Sequence, residues 1–376
     1  MIAPGLGMAV LAIWLGLLLG RDGFWLARER DGRHLPSSPR CWPDATAIVP
    51  ARDEADVIAR SVGSLIAQDY PGRFRILLVD DGSSDDTGAI ARALGSEKVT
   101  VLTGASLPDG WTGKLWALHQ GVAHAGPVPV WLWLTDADIA HAPDTLRTLV
   151  ARGEADNLSL VSLMARLRCE TLAERMLVPA FVFFFQMLYP FGQVNRPGGL
   201  GAAAGGCMLV RRTALEQAGG IGAIRGALID DCTLGALLKR HGPVWLGLTD
   251  RSVSIRPYRD FASIAAMISR SAYAQLRYSP WLLAATLAGM LLIYVAPPLL
   301  ALFGQGLARW SGLGAWLAMS LSFQPMLHFY RRSPLWGAAL PVIAAFYAGC
   351  TLLSAWQQSR GRGGMWKGRA QAGAGS

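Results

Sequence analysis

Charge is scarce in this chain. Asp, Glu, Lys and Arg make up 16% of the residues against 52% hydrophobic ones, a balance too apolar for an ordinary soluble enzyme of this length. Cysteine is scarce too: the five, at 41, 169, 207, 232 and 350, form no C-x-x-C pair and no metal-ligand spacing, which excludes a zinc site of the usual kind and a disulfide scaffold. They read as reduced, packed residues of a cytoplasmic domain. No stretch combines clustered basic residues with aromatic platforms on a soluble segment, so the net charge of +9 does not point to nucleic acid. Glycine-rich phosphate loops are also missing. The turn after the first predicted strand reads "VPARDEA", without the glycines of a dinucleotide fingerprint. In "PDGWTGKL", Pro108 and Leu115 stand where a P-loop needs Gly and Ser or Thr. There is no internal repeat.

What is present in excess sits at the ends. Ile2 to Gly20 is an uncharged run of 19 residues followed by Arg21, Arg28, Arg30 and Arg33. Its length nearly matches a bilayer core, and the run has neither a basic n-region nor a small-residue cleavage site. Residues 1–20 are therefore expected to be an uncleaved anchor. Residues 21–44 then form a basic juxtamembrane linker that keeps the following domain in the cytoplasm. Three further apolar runs, 281–303, 313–329 and 335–356, each have about the length of a span. Their flanking charges conflict: the tail 357–376 carries Arg360, Arg362, Lys367 and Arg369, whereas Arg331 and Arg332 lie between the last two runs. Two to three membrane segments over 281–356 are expected, with Pro297-Pro298 and Gln324-Pro325 marking candidates for a re-entrant one. These flanking bases account for most of the positive charge and place the protein in the cytoplasmic membrane as a multi-pass chain.

Between about 45 and 280 the pattern changes. Short apolar runs, "ATAIVPA" (45–51), "RILLVD" (75–80), "KVTVLTG" (98–104) and "VWLWLT" (130–135), alternate with amphipathic stretches such as 53–68. That alternation predicts an α/β domain, a mainly parallel sheet between helices. Its predicted strand ends carry acids: Asp53-Glu54, Asp80-Asp81, and Asp136 with Asp138. An acidic rim repels a bare phosphate unless a divalent cation intervenes. If the strand continues through 138, Asp136 and Asp138 share a face and converge on one ion; the alternative is a Thr-Asp turn leading toward Pro143. Asp230-Asp231 in "IDDCTL" reads either as a carboxylate pair for acid–base work or as the acidic first turn of a helix. Lys114 is either a nucleotide contact or a solvated loop lysine. Arg277, in "QLRYS" (275–279), is either a phosphate clamp or an arginine snorkelling beside the membrane. "MLVPAFVFFFQMLYPF" (176–191) is too short and too interrupted for a span. It is expected to be an interfacial helix, near Arg166, Arg168 and Arg175; a buried core helix is the alternative.

Taken in order, "VPARDE", "LLVDDGSSDDT", "GKLWALHQG", "TDAD", "GGCMLVRRTALEQAGGI", "IDDCTLGALLKR" and "QLRYS" resemble the family 2 glycosyltransferases of the GT-A fold. "PDGWTGKLWA", "RLRCET", "AFVFFFQMLYPF" and "AIRGALIDDCTL" further resemble the hopene-associated members found with hopanoid genes. The resemblance implies a GT-A nucleotide-diphospho-sugar transferase domain over 45–280 and an inverting hexosyl transfer from a nucleotide sugar, UDP-linked first, to a lipid hydroxyl. It implies donor contacts from Arg52, Glu54, Asp81, Lys114, Asp136 and Arg277, and Mn²⁺ or Mg²⁺ on Asp138 with Asp136. Asp231 would be the base and Asp230 would shape the site. Tyr278 replaces the usual Trp of the last motif, and Arg52 stands where many members have an aromatic. Two other functions remain open at this stage, a transferase acting on a polyprenyl phosphate and a catalytically silent membrane scaffold.

Overall fold

β1 (Ala45–Ala51) and β4 (Trp131–Thr135) are buried along their whole length, as strands covered on both faces must be. The structure, a computed structural model, describes residues 2–33, 36–366 and 369–370. They divide into two compact units. One holds Glu29–Arg168, Gln193–Pro257 and the stretch from Met365; the other holds Met1–Arg28, Cys169–Gly192 and Tyr258–Gly364. Residues 169–192 and 258–280, within the stretch that the sequence reads as one domain, thus belong to the second unit. Lys367 of the basic tail lies outside the described residues.

The first unit is built on eight strands. With β2 (Phe74–Asp80), β3 (Val99–Thr103), β5 (Ile139–His141), β6 (Leu160–Arg166), β7 (Cys207–Arg211) and β8 (Val244–Ser254), the sheet order is β3-β2-β1-β4-β7-β6-β8-β5. β1 pairs in parallel with β2 and β4, and β2 with β3. β7 runs antiparallel to both β4 and β6, β8 is parallel to β6, and β5 is antiparallel to β8. The sheet is therefore mixed and mainly parallel. By this register the carboxyl ends of β1, β2, β4, β6 and β8 and the amino end of β7 share one edge, where open α/β sheets bind ligands. The core between sheet and helices includes Val49, Ile58, Val62, Leu65, Leu78, Trp131, Trp133 and Leu146. The Gly113–Ala125 helix lies close on the sheet because Gly121 has no side chain: a Cβ there would stand 2.4 Å from Ile48 Cγ2.

One expectation changes here. β4 stops at Thr135, and Asp136 to Asp138 form a turn rather than more strand. The chain has to reverse at this point, because β5 leaves β4 and pairs antiparallel with β8. The two aspartates are therefore not alternate residues of one strand face.

The second unit is helical. Ile2–Gly20, Leu172–Leu188, Gly306–Ser322 and Leu340–Ser359 are single helices, and Pro280–Phe303 is continuous through a π turn at Leu291–Val295. Two of these, Pro280–Phe303 and Leu340–Ser359, are long and apolar enough to cross a membrane; Pro4–Gly20 is apolar but shorter. Gly306–Ser322 and Gln324–Phe329 are separate helices, with Gln324-Pro325 opening the second. Pro297 has no N–H for the carbonyl of Ile293, and Trp14 Nε1 donates to that oxygen instead, at 2.8 Å. Leu172–Leu188 opens with a capping box between Thr171 and Glu174 and buries Leu177, Val178, Ala180, Val182 and Phe183.

Candidate active site at the carboxyl edge of the sheet

The turns after β1 and β2 are fastened to each other. Asp53, at a left-handed φ of 50°, accepts from Ser84 N at 2.6 Å and Ser84 Oγ at 3.0 Å, and Arg52 donates to the carbonyls of Asp81 and Gly82. Glu54 N donates to Thr87 Oγ1. Asp81 is buried, and its N–H closes onto Ala51 O at 2.8 Å. Arg52 and Asp81 thus hold this corner together, and Glu54 faces the next group of charges.

That group contains two cations, each between carboxylates. Thr112 caps the Gly113–Ala125 helix and sets Lys114 in its first turn. Lys114 Nζ lies 2.8 Å from Asp136 Oδ1 and 3.0 Å from Asp230 Oδ2. Burial opposes the lysine's charge, yet the carboxylates of Asp136, Asp230 and Asp231 outweigh it and keep the amine protonated. Arg256, just past β8, donates through Nε to Asp138 at 2.7 Å and through Nη2 to both oxygens of Glu54. Burial again opposes the charge, and Asp138 and Glu54 overcome it.

Asp230 and Asp231 open the Asp230–Leu238 helix. Asp231 is fixed by two backbone donors, Gly205 N at 2.9 Å to Oδ2 and Cys232 N at 2.7 Å to Oδ1. Its carboxyl is nevertheless pushed up to about 6, first by desolvation and then by the charge of Asp230, with Lys114 and the two N–H groups opposing. Asp136 is also raised, by desolvation first, but its side chain keeps 34% of its surface, so solvent weakens that effect. A Cβ at Gly205 would sit 3.3 Å from Asp231 Oδ2 and 3.4 Å from Lys114 Nζ, close enough to crowd both side chains.

Beneath the turn at Asp136 lies a buried hydrogen-bond relay. Thr135 Oγ1 donates to Gly206 O at 2.9 Å, so its lone pair receives Nε2–H of His141, also at 2.9 Å. Nδ1 of His141 is then left to accept from Ser252 Oγ at 2.9 Å. Burial lowers this histidine to about 3, so it stays neutral. The relay joins the ends of β4, β5 and β8 to the glycine pair before β7.

Among the described residues no three His, Cys, Asp or Glu side chains gather as a metal cage. Asp136 and Asp138 each offer a carboxylate with one oxygen already engaged by Lys114 or Arg256. Such a donor set fits a divalent ion that takes most of its oxygens from a diphosphate, as Mg²⁺ commonly does. A cleft of about 560 Å³, lined by Gly222 to Ala227 and Thr233, flanks the helix that carries Asp230 and Asp231.

The structure thus brings together Glu54, Lys114, Asp136, Asp138, Asp230 and Asp231. Arg277, at a left-handed φ of 52°, belongs to the second unit. Sequence reasoning passed over Arg256, Gly205 and His141. The available signal for Arg256 was its place just after the alternating polar and apolar run "RSVSI", which the sequence reading did not count as a strand.

Comparison with known proteins gives the following likenesses. Residues 46–219 match the model of the family described as Glycosyl transferase family 2. A 4,4'-diaponeurosporenoate glycosyltransferase of Staphylococcus aureus (strain bovine RF122 / ET3-1) is 36% identical over 107 residues, 28% of this chain and 27% of that protein. The succinoglycan biosynthesis protein ExoO of Rhizobium meliloti (strain 1021) is 32% identical over 169 residues, 41% of this chain and 47% of that protein. The chain thus spans about a quarter to a half of the length of these curated relatives. The mannosyltransferase PcManGT of Pyrobaculum calidifontis, solved with GDP-Man and Mn²⁺, superposes with a TM-score of 0.57, covering 94% of this chain and 99% of its own at 19% identity. At that identity the likeness establishes the fold.

Proposed function

We propose, from the match of residues 46–219 to the Glycosyl transferase family 2 model and the fold shared with a solved mannosyltransferase, that this protein is a membrane-bound inverting glycosyltransferase. It moves a hexosyl group from a nucleotide sugar, a UDP-sugar first, to the hydroxyl of a lipid in hopanoid or related glycolipid metabolism. The observation that carries the reading is the meeting of Asp231, held by two N–H groups and raised to about 6, with the Lys114–Asp136 and Arg256–Asp138 pairs on one sheet edge. The apolar helices of the second unit and a relative named 4,4'-diaponeurosporenoate glycosyltransferase support a lipophilic acceptor and a place in a membrane, and Arg21, Arg28, Arg30 and Arg33 are the reason for reading the first unit as cytoplasmic. The hopanoid assignment rests on the sequence motifs.

An alcohol is a weak nucleophile near neutral pH, so its proton must be taken as it attacks the anomeric carbon. Asp231 is the base: raised to about 6, it is mostly ionised at pH 7 and still basic enough to accept that proton. Asp230 holds Lys114 toward the site. Attack from the face opposite the leaving group inverts the anomeric centre in one displacement. Glu54 and Asp138 hold Arg256 in place, and Arg256 and Lys114 bring positive charge to the departing diphosphate. Asp136 and Asp138 would hold Mn²⁺ or Mg²⁺, which supplies Lewis-acid stabilisation of that leaving group. Arg52, Glu54 and Asp81 shape the nucleotide end of the site.

The reading is tested with full-length protein in detergent. UDP should bind in a Mn²⁺-dependent way, and Asp138→Ala should abolish that dependence. If neither UDP nor GDP nor dTDP binds wild type, the transferase reading fails.

A further inference from the structure

The pairing in this site has a consequence for metal binding that rests on the transferase reading above. Five carboxylates, Glu54, Asp136, Asp138, Asp230 and Asp231, gather around Lys114 and Arg256. Each cation is held by two elements far apart in sequence. Lys114 spans the turn at Asp136 and the helix of Asp230; Arg256 spans the turn at Asp138 and the corner after β1 at Glu54. One oxygen of each aspartate in the turn is therefore engaged by an ammonium or a guanidinium at hydrogen-bond distance.

From this geometry we infer that Lys114 and Arg256 are intramolecular place-holders for the divalent cation. They neutralise Asp136 and Asp138 in the nucleotide-free protein and compete with the metal for those oxygens. A free Mn²⁺ ion has to pull each carboxylate away from a partner within 3 Å while gaining only two protein ligands, so it binds weakly by itself. A nucleoside diphosphate changes the balance in two ways. Its oxygens complete the coordination of the ion, and its negative charge gives Lys114 and Arg256 a new partner as they release the aspartates. Metal and diphosphate therefore bind as a pair. Lys114 also couples the two halves of the site, since the side chain that yields Asp136 stays tied to Asp230, next to the base.

The experiment is a Mn²⁺ titration of nucleotide-free, full-length protein in detergent, followed by the electron-spin-resonance signal of free Mn²⁺. Wild type should bind weakly, and added UDP or GDP should tighten it. Lys114→Met should raise the affinity for Mn²⁺ alone by roughly tenfold, the scale for removing one charge beside a partly buried carboxylate. Lys114→Arg, which keeps the charge, should stay near wild type. A folded Lys114→Met protein that binds Mn²⁺ no more tightly than wild type overturns the inference. If that variant does not fold, Arg256→Gln carries the test with the same expected sign, and an unchanged affinity there is equally fatal. A gain in Lys114→Met with no nucleotide effect in any protein overturns the transferase reading and leaves the place-holder standing.

Discussion

Asp231 shows how one residue in this site trades stability for chemistry. Its folded-state value of about 6 lies above the ordinary 3.8, so the folded protein holds the proton more tightly than the unfolded chain does. By linkage the contribution of Asp231 to stability is best below pH 4, falls as the pH rises from about 4 to about 6, and is level above that. Two outcomes are expected. Asp231→Asn should melt at a higher temperature than wild type at pH 7.5 in a thermal-shift assay, while turnover drops by roughly a thousandfold, within the range for loss of a general base. In wild type, kcat/KM should rise with pH through about 6 as the base ionises. Lys114 opposes the upward shift, so residual activity of Lys114→Gln should show that limb at higher pH; a limb at unchanged pH would remove Lys114 from the electrostatics of the base. At this scale the acids were legible in the sequence, since Asp136, Asp138, Asp230 and Asp231 all sit at predicted ends of elements. Their partners were not: Arg256 reaches Glu54 across 202 positions and Asp138 across 118, and no local pattern reports such a pairing.

Among elements, the strands of the first unit were legible wherever a short, continuous apolar run marks them, as in Ala45–Ala51 and Trp131–Thr135. The end of β4 was not. Whether the chain continues or turns after Thr135 depends on β8, more than a hundred residues later, offering its edge to β5. His141 locks that choice through Thr135 and Ser252. His141→Phe takes the acceptor from the buried Ser252 hydroxyl and the donor from Thr135 Oγ1, which keeps its bond to Gly206 O, and should cost about 2 kcal/mol in denaturant unfolding; a loss under half a kcal/mol, on the order of a surface substitution, would mean that the relay is incidental. The Gly113–Ala125 helix depends on Gly121 in the same way. Gly121→Val meets Ile48 and Val79, so the helix must lift from the sheet and carry Lys114 with it, lowering both melting temperature and nucleotide binding.

For the molecule as a whole, the apolar excess is concentrated in the second unit, where Trp281, Leu299 and Phe303 on Pro280–Phe303 and Val342 and Trp356 on Leu340–Ser359 are exposed. Exposed apolar side chains on helices of spanning length are costly in water and favourable in hydrocarbon. The expressed protein should sediment with membranes and stay there through an alkaline carbonate wash; release into the supernatant would argue against spanning. The long apolar helices were legible because composition and length alone define them. Pro297-Pro298 lie within the Pro280–Phe303 helix, where the indole of Trp14 takes up the carbonyl that Pro297 leaves unpaired, next to a π turn.

By itself the sequence determined the α/β alternation of the middle, the apolar helices and the acids at the strand ends, because each follows from spacing and composition over a few residues. Tertiary structure alone decided which cation meets which carboxylate, where β4 turns, and that 169–192 and 258–280 pack with the apolar helices. Those outcomes depend on the strand order β3-β2-β1-β4-β7-β6-β8-β5, which brings residues one to two hundred positions apart to a common edge, and long-range order of that kind leaves no trace in local periodicity.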